Sequence, residues 1–174
     1  MILPLVYYGN PKLRNRCTEV QEITEDIKQF CYDMIETMDA NKGVGLAAIQ
    51  VGKLLRILVI RPVLEDEDKE AYLGKAELYI NPKLSNPAEQ TQIGPEGCLS
   101  IPSFHEDVER PISIHVEALD INGNKISKDL QGYKARELMH ENDHLNGVLF
   151  IDRLPAQKRK EIEPALREIK SKYN

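Results

Sequence analysis

The segment between Thr24 and Gly43 carries apolar residues at the spacing of one helical face. Side chains three and four positions apart lie on the same side of an α-helix. Thr24 is suited to cap the first turn, and Gly43 follows the last periodic residue. The pattern predicts an amphipathic helix that covers a core, with Cys31 as a buried small hydrophobic residue and not as a reactive thiol. The apolar positions are Ile27, Phe30, Cys31, Met34, Ile35 and Met38.

Two short segments have the composition of β-strands. Residues 55–62, LRILVIRP, are rich in aliphatic and β-branched residues, and residues 77–82, ELYINP, end in an Asn-Pro pair. The segment between them, residues 64–77, is acidic and predicts an exposed loop with no ligand role.

Residues 110–132 alternate between apolar and polar side chains around the pair Asn122-Gly123. Strict alternation is typical of strands, and Asn-Gly is a preferred two-residue turn, so the segment predicts a β-hairpin. His115 lies within the alternation and is interpreted as an ordinary strand residue.

Further helices are predicted in the last third of the chain. One begins near Gln131 or Gly132 and ends at Gly147, and the segment after Pro155 is also helical, with a kink or a restart at Pro164. Short strands combined with a few helices indicate the α+β class. We expect residues 1–174 to form a single catalytic domain, of which 156–174 is a C-terminal helical segment.

Composition narrows the class of protein. The 174 residues are 41% hydrophobic, which suffices for one core, and the net charge of −5 argues against a direct nucleic-acid-binding site. No apolar run is long enough for a membrane span, and the N-terminal segment lacks the basic region of a signal peptide. Three widely spaced cysteines fit a reducing compartment. These features predict a cytoplasmic protein, or one of an organellar stroma or matrix, although the chain carries no transit peptide.

Candidate chemistry begins with the segment ELMHENDHLNG, residues 137–147. His140 and His144 are four residues apart, so a helix presents both imidazoles on one face, with Glu141 close enough to act as a base. Such a pair suits a divalent metal ion. The alternative is a surface helix with two solvated histidines, and a catalytic metal site still needs a third protein ligand.

The third ligand has more than one candidate. In the metzincin pattern it would fall at Phe150, which cannot bind a metal, and in a gluzincin-like protease it would be Glu163, which directly precedes a proline. Cys98 lies upstream in GPEGCLSIP, predicted as a glycine-rich loop between strands. A cysteine in a tight turn suits metal binding or nucleophilic catalysis. Two imidazoles and a thiolate would leave a fourth position open for water.

Three motifs in fixed order then suggest a family. GVGLAAIQVG (43–52), EGCLS (96–100) and HENDHLNG (140–147) closely resemble the motifs of the peptide deformylases, in the form of the bacterial and organellar type I branch. The resemblance covers most of the chain, including the opening YYGNPKLR. It implies a hydrolase that removes the formyl group from the N-terminal formyl-methionine of nascent polypeptides. The expected fold is α+β, with antiparallel or mixed sheets around a central helix that carries the histidines, and a C-terminal helix.

The resemblance also assigns roles to individual residues. The Gln50 amide and the Leu99 N–H would hold the reacting oxygen, and Gly45 and Gly97 would bind the peptide main chain in an extended form. One divalent metal ion per chain is implied, ferrous iron first, with nickel, cobalt or zinc as substitutes. Its ligands would be Cys98, His140 and His144, with Glu141 as the acid and base.

The implied chemistry is amide hydrolysis. A metal ion lowers the pKa of its bound water from 15.7 toward about 7, which makes hydroxide available to attack the formyl carbonyl. Glu141 would take the proton of that water and pass it to the leaving amine.

Selection of methionine requires an unbranched apolar pocket, for which Val44, Ile93 and Leu99 are candidate walls together with the motif helix. Glu137 shares the helix face of His140, at a position where family members usually carry an apolar or small residue. The interpretation that we favour is that Glu137 turns aside and pairs with a neighbouring basic residue. The alternative is that it narrows or polarises the pocket and alters side-chain preference.

Three further departures from the family pattern concern efficiency and substrate range. Ile49 replaces a usual proline, Met139 replaces a common glutamine, and His105 occupies a position often held by a basic substrate-contacting residue. The expected partners are formyl-methionyl nascent peptides and, transiently, the ribosome, because basic residues cluster after Pro155. No membrane partner is expected.

Overall fold

A computed structural model describes all residues, 1–174, as four α-helices and nine β-strands joined by turns and three short 3₁₀ segments. The helices are α1 Glu25–Ala40, α2 Gly132–Leu145, α3 Ala156–Glu161 and α4 Glu163–Tyr173. The strands are β1 Gly45–Ala47, β2 Ile57–Ile60, β3 Val63–Glu65, β4 Ala71–Leu73, β5 Glu77–Ser85, β6 Thr91–Cys98, β7 Ile101–Pro111, β8 Ser113–Leu119 and β9 Lys125–Gln131.

The main sheet has five antiparallel strands in the order β1-β2-β5-β8-β9. Every residue of β2 is buried, because the sheet is covered on both faces. Leu58 and Ile60 pack into a core with α2, whereas Ile57 and Val59 pack into a second core with α1. This alternation explains why the central strand is almost continuously apolar. The α+β prediction is confirmed.

Helix α1 follows the prediction closely. The Thr24 side chain accepts a hydrogen bond from the backbone N–H of Ile27, and the helix ends at Ala40. Cys31, Met34 and Met38 are completely buried against the sheet. Burial raises the pKa of the Cys31 thiol to about 12, which agrees with a packing role.

Two predictions in the strand region are corrected. The acidic segment 64–77 is exposed, but it is not only a loop, because β3 and β4 pair within it as a small hairpin. Cys98 is not in a loop: it is the last residue of β6, which pairs with β7 as a separate two-stranded sheet. The glycines and proline before Cys98 are accommodated because β6 pairs on one side only, with β7. The strand predicted at 77–82 continues to Ser85.

Helix α2 begins at Gly132, as predicted, and ends at Leu145, so the predicted end at Gly147 lies in the turn that follows. Gly147 has φ +74°, and a Cβ there would lie 2.6 Å from the backbone oxygen of Arg14. The N-terminal segment crosses at this point, where the Cys17 N–H donates to the carbonyl of Leu145. The turn therefore requires glycine for both its backbone conformation and its space.

The helical segment after Pro155 restarts at Pro164, as predicted: Ile162 separates α3 from α4. Ile162 and Leu166 join a third core with the β6–β7 hairpin. At the end of α4, Tyr173 stacks on Tyr7 with ring centroids 4.5 Å apart. No helix is long and apolar enough to cross a membrane.

Candidate metal centre

The two histidines of α2 lie on its buried face. The His140 and His144 rings are 5.2 Å apart between centroids, and both side chains are buried. The Nδ1 atom of His140 lies 2.8 Å from Glu96 Oε1, so its Nε2 is the nitrogen available to a ligand. Burial lowers the pKa of His144 well below its usual value, which favours the neutral imidazole that metal binding needs. The alternative of two solvated surface histidines is therefore wrong.

Cys98 reaches the histidines from the β6–β7 hairpin. Its Sγ lies 3.3 Å from His144 Nε2, and the donor atoms of Cys98, His140 and His144 all lie within 4.8 Å of one another. Tetrahedral zinc-type sites with bonds of 2.0–2.3 Å place neighbouring donors about 3.3–3.7 Å apart. The Cys98–His144 pair has this spacing, and all three donors, a sulfur and two imidazole nitrogens, lie close enough together to surround one divalent ion. Glu163, the alternative third ligand, is not part of this group: it lies on α4 and pairs with Arg159 of α3.

Glu96 connects the hairpin to α2. Its carboxylate accepts hydrogen bonds from Arg110 Nε at 2.7 Å, from Arg136 Nη1 at 2.7 Å and from His140. Burial alone would raise the pKa of Glu96, but the hydrogen bonds from Arg110 and His140 lower it to about 2. Arg110 also donates to Asp143, one residue before His144. A buried ionic network thus fixes both ligand-bearing elements.

Glu141 lies next to the metal-ligand group, with Oε1 3.7 Å from His140 Nε2. Its Oε2 is buried and has no hydrogen-bond partner. Burial raises the pKa of Glu141 to about 7, against the opposing charge of His140. A Cβ on Gly45 would lie 2.7 Å from Glu141 Oε1, so the glycine provides the space that this carboxylate occupies.

Gln50 also contacts the sulfur. It is buried in a 3₁₀ segment, where Oε1 accepts from the Ala47 N–H and Nε2 donates to Cys98 Sγ at 3.3 Å and to Ser100 Oγ at 3.1 Å. Gln50 of the first sequence motif and His144 of the third therefore both lie within hydrogen-bonding distance of Cys98, which belongs to the second.

Comparison with known proteins agrees with this site. The sequence model of the family described as polypeptide deformylase matches residues 2–160. This chain belongs to the peptide deformylase family. It is accordingly a metal-dependent hydrolase that removes N-formyl groups from nascent peptides.

Individual relatives support the same assignment. The chain is 41% identical over 168 residues to a peptide deformylase of Psychrobacter cryohalolentis, covering 97% of this chain and 88% of the relative. It is 43% identical over 158 residues to one of Rhizobium meliloti, covering 91% and 88%. The crystal structure of peptide deformylase from Ehrlichia chaffeensis superposes with a TM-score of 0.88 at 37% identity, covering 99% and 97%.

The deformylase cavity, of about 540 Å³, opens beside the metal centre. Five of the predicted substrate-binding residues line it, namely Val44, Gly45, Gly97, Leu99 and Glu137. Ile93 does not: its side chain is 67% exposed, and it pairs with Glu109 on the outer part of the hairpin. That prediction is wrong because Ile93 lies too far along β6 from Cys98 to reach the cavity.

The favoured interpretation of Glu137 is also wrong. Both carboxylate oxygens are buried and neither has a hydrogen-bond partner. The neighbouring bases are already engaged, Lys134 with Glu77 and Arg136 with Glu96. Burial, reinforced by the negative charge of Glu141, raises the pKa of Glu137 to about 8.

The three further departures from the family pattern fall into two groups. Ile49 and Met139 are buried in the core between α2 and the main sheet, so they replace their family counterparts as packing residues. His105 lines the cavity, and its ring would lie 2.5 Å from a Cβ placed on Gly97.

Several residues of the site were not found from the sequence. Glu96 stands inside the EGCLS motif, and its position two residues before Cys98 was the only available signal. No sequence signal pointed to Arg110 or Arg136, because only the tertiary fold brings them to Glu96. Tyr7 and Tyr173 line the cavity from opposite ends of the chain.

Proposed function

We propose that the chain hydrolyses the formyl–amide bond of formyl-methionyl nascent peptides at one metal centre held by Cys98, His140 and His144. We propose Fe²⁺ as the ion, with Ni²⁺, Co²⁺ or Zn²⁺ able to substitute, and one catalytic domain comprising residues 1–174. The observation that carries this assignment is the contact between Cys98 Sγ and His144 Nε2, because it joins two distant motifs. When bound, the ion supplies a Lewis acid that polarises the formyl carbonyl and acidifies water.

Glu141 is assigned the proton transfers. Its free Oε2 accepts a proton from the attacking water and returns it to the amine nitrogen as the C–N bond breaks. Formate and a peptide with a free amino group result. A pKa near 7 suits both steps, since the group must accept and release a proton at neutral pH.

The backbone N–H of Leu99 and the Gln50 amide are assigned to the negative charge that develops on the formyl oxygen. Gln50 Nε2 donates to Cys98 and Ser100 in the free protein. It therefore has to exchange the Ser100 hydroxyl for the substrate oxygen. Its other hydrogen bond, to the Cys98 sulfur, is retained and positions that side chain.

Recognition of the first residue is assigned to the cavity. Val44 and Leu99 contribute aliphatic walls beside the metal centre, as an unbranched methionine side chain requires. Gly45 and Gly97 line the cavity, and their backbone groups are assigned to the main chain of an extended peptide.

The ribosome, and with it a cytoplasmic location, is proposed as the setting of the reaction. The basic residues after Pro155 support this only in part, since Lys158 pairs with Glu106 and Arg159 pairs with Glu163. Deleting α3 and α4 would remove buried Ile162 and Leu166, so charge reversal is the sharper test. Lys160→Glu with Lys172→Glu should weaken co-sedimentation with ribosomes, and unchanged binding would exclude this contact.

The assignment as a whole is tested by metal content and formate release. Protein purified anaerobically should contain one equivalent of metal and release formate from formyl-Met-Ala-Ser. Cys98→Ala should lose both, whereas Cys17→Ala, a matched change at a buried cysteine that does not line the cavity, should retain both. A Cys98→Ala protein with full metal content would overturn the ligand assignment.

A further inference from the structure

The wall that α2 contributes to the cavity is polar. Every α2 residue that lines the cavity carries a polar or ionisable group, and none is aliphatic. A pocket that recognises only a thioether side chain needs no such wall, because thioether sulfur is a weak acceptor and the rest of the chain is apolar. These residues are Tyr133, Arg136, Glu137, His140 and Glu141.

Three of these residues already have a function or a partner, and a fourth is partly exposed. Arg136 is fixed by Glu96 and by the backbone carbonyls of Gln92 at 2.7 Å and Val108 at 2.7 Å, so it cannot turn toward Glu137. His140 and Glu141 belong to the reaction centre, and Tyr133 is half exposed at the cavity edge.

Glu137 is the one residue of this wall whose two carboxylate oxygens are both buried without a partner. Its residue exposure is 6%, and both oxygens lack partners. A buried carboxyl group without a hydrogen bond destabilises a fold, and such groups are rare unless a ligand satisfies them. The missing partner is therefore to be sought among groups that enter the cavity.

The position of Glu137 indicates which group this is. It precedes His140 by three residues and Glu141 by four, so it lies one helical turn, about 5.4 Å, along the same face. Glu137, His140 and Glu141 line one cavity, so a peptide with its formyl carbon at the metal centre has room to extend its first side chain along this face. The tip of a long unbranched side chain would then reach the Glu137 carboxyl group.

We infer that Glu137 is a specificity-determining residue that binds the tip of the first side chain and extends the substrate range to formyl peptides that begin with lysine. This inference rests on the proposed function of the site. An ammonium group satisfies both carboxylate oxygens, whereas methionine leaves them unpaired but still packs on Val44 and Leu99. The enzyme therefore accepts both side chains through different walls of one cavity.

The test compares three substrates, formyl-Met-Ala-Ser, formyl-norleucyl-Ala-Ser and formyl-Lys-Ala-Ser. Each is assayed with the wild type, with Glu137→Gln, which keeps the shape, and with Glu137→Leu, which makes the wall apolar. Glu117→Gln, on the exposed surface of β8, is the matched control. Thermal melts establish that each variant is folded, and Glu137→Met replaces any that is not.

The expected result is a shift in preference. The ratio of kcat/KM for the lysyl peptide to that for the methionyl peptide should fall by about 10-fold or more in Glu137→Leu, mainly through KM, and by less in Glu137→Gln. The norleucyl peptide should improve in Glu137→Leu.

Two results would overturn the inference. An unchanged ratio in all variants would remove Glu137 from specificity. A uniform loss of kcat for all three peptides would make it a proton-transfer partner of Glu141 instead. Failure of the wild type on formyl-Met-Ala-Ser would count against the proposed function itself, so the two failures are distinguishable.

Discussion

Glu96 Oε1 lies 2.8 Å from His140 Nδ1, and this contact determines which imidazole nitrogen faces the metal site. The same carboxylate accepts hydrogen bonds from two guanidinium groups, that of Arg110 on β7 and that of Arg136 on α2. The orientation of a metal ligand and the docking of the hairpin onto the motif helix therefore depend on one side chain.

Glu96→Gln is predicted to weaken metal binding by about 10- to 100-fold, because partners that orient a ligating histidine contribute that much to affinity. Competition with a chelator of known affinity measures the effect. Glu109→Gln, farther along the same hairpin, is the control. Equal affinities in Glu96→Gln and wild type would contradict an orienting role.

Glu141→Gln is predicted to retain the metal and to lose turnover by about 10²- to 10⁴-fold, the usual contribution of a positioned acid–base group. In the wild type, kcat/KM should rise as pH increases through about 7, because the Glu141 carboxyl group must lose its proton to act as a base. Metal analysis and a pH–rate profile check both points. A metal-loaded variant with near-normal activity would reject the role.

The stability of the protein should depend on pH through Glu137. Its pKa of about 8 in the fold exceeds the ordinary value of 4.5, so between these values the native state binds more protons than the unfolded state. Stability contributed by this group is therefore lost as pH rises. Relative to Glu137→Gln, the wild type should lose about 1–3 kcal/mol between pH 5 and pH 8. Urea unfolding at both pH values measures it, and parallel curves would contradict the burial of an unpaired carboxyl group.

Gly147→Ala should destabilise the protein by about 2 kcal/mol or more, because it combines a left-handed backbone with a steric clash. Gly123 separates the two causes: its φ is +81°, but the nearest atom to an added Cβ is 4.0 Å away. Gly123→Ala should therefore cost only about 1 kcal/mol. Similar losses in the two variants would mean that the contact with Arg14 relaxes freely.

Removal of the metal should make Cys98 the most reactive cysteine. Cys17 and Cys31 are buried, and burial raises their pKa values to about 11 and about 12, whereas Cys98 lines the cavity. Iodoacetamide should label Cys98 first in the metal-free protein and leave it unmodified after metal is restored. Mass spectrometry of the peptides identifies the site, and labelling of Cys17 ahead of Cys98 would contradict the arrangement.

The sequence predicted the elements whose signals are local. Helix α1 has both a cap and a periodic apolar face, and the β8–β9 hairpin has alternating apolar and polar residues around Asn122-Gly123. The β3–β4 hairpin escaped prediction because its exposed, acidic sequence resembles a loop, and pairing between short strands leaves little periodicity.

In the site, too, local motifs were predicted and features that depend on the tertiary fold were not. The motifs pointed to the side chains now found together around Cys98, but Ile93 was misplaced, because proximity in sequence does not give direction along a paired strand. The environment of Glu137 could not be foreseen either. Its basic neighbours, Lys134 and Arg136, pair with Glu77 and Glu96 instead. These two glutamates come next to α2 only when the sheets have folded.

Hydrogen bonds around Tyr8 connect the end of α4 to the reaction centre. The Tyr8 N–H donates to the carbonyl of Ser100, the Val6 N–H donates to the carbonyl of Gln50, and the Tyr8 carbonyl accepts from Asn174. The N-terminal segment that carries these bonds thus lies between the end of α4 and the Gln50 and Ser100 backbone. The last helix therefore helps to hold the reaction centre rigid, although it supplies none of the metal ligands.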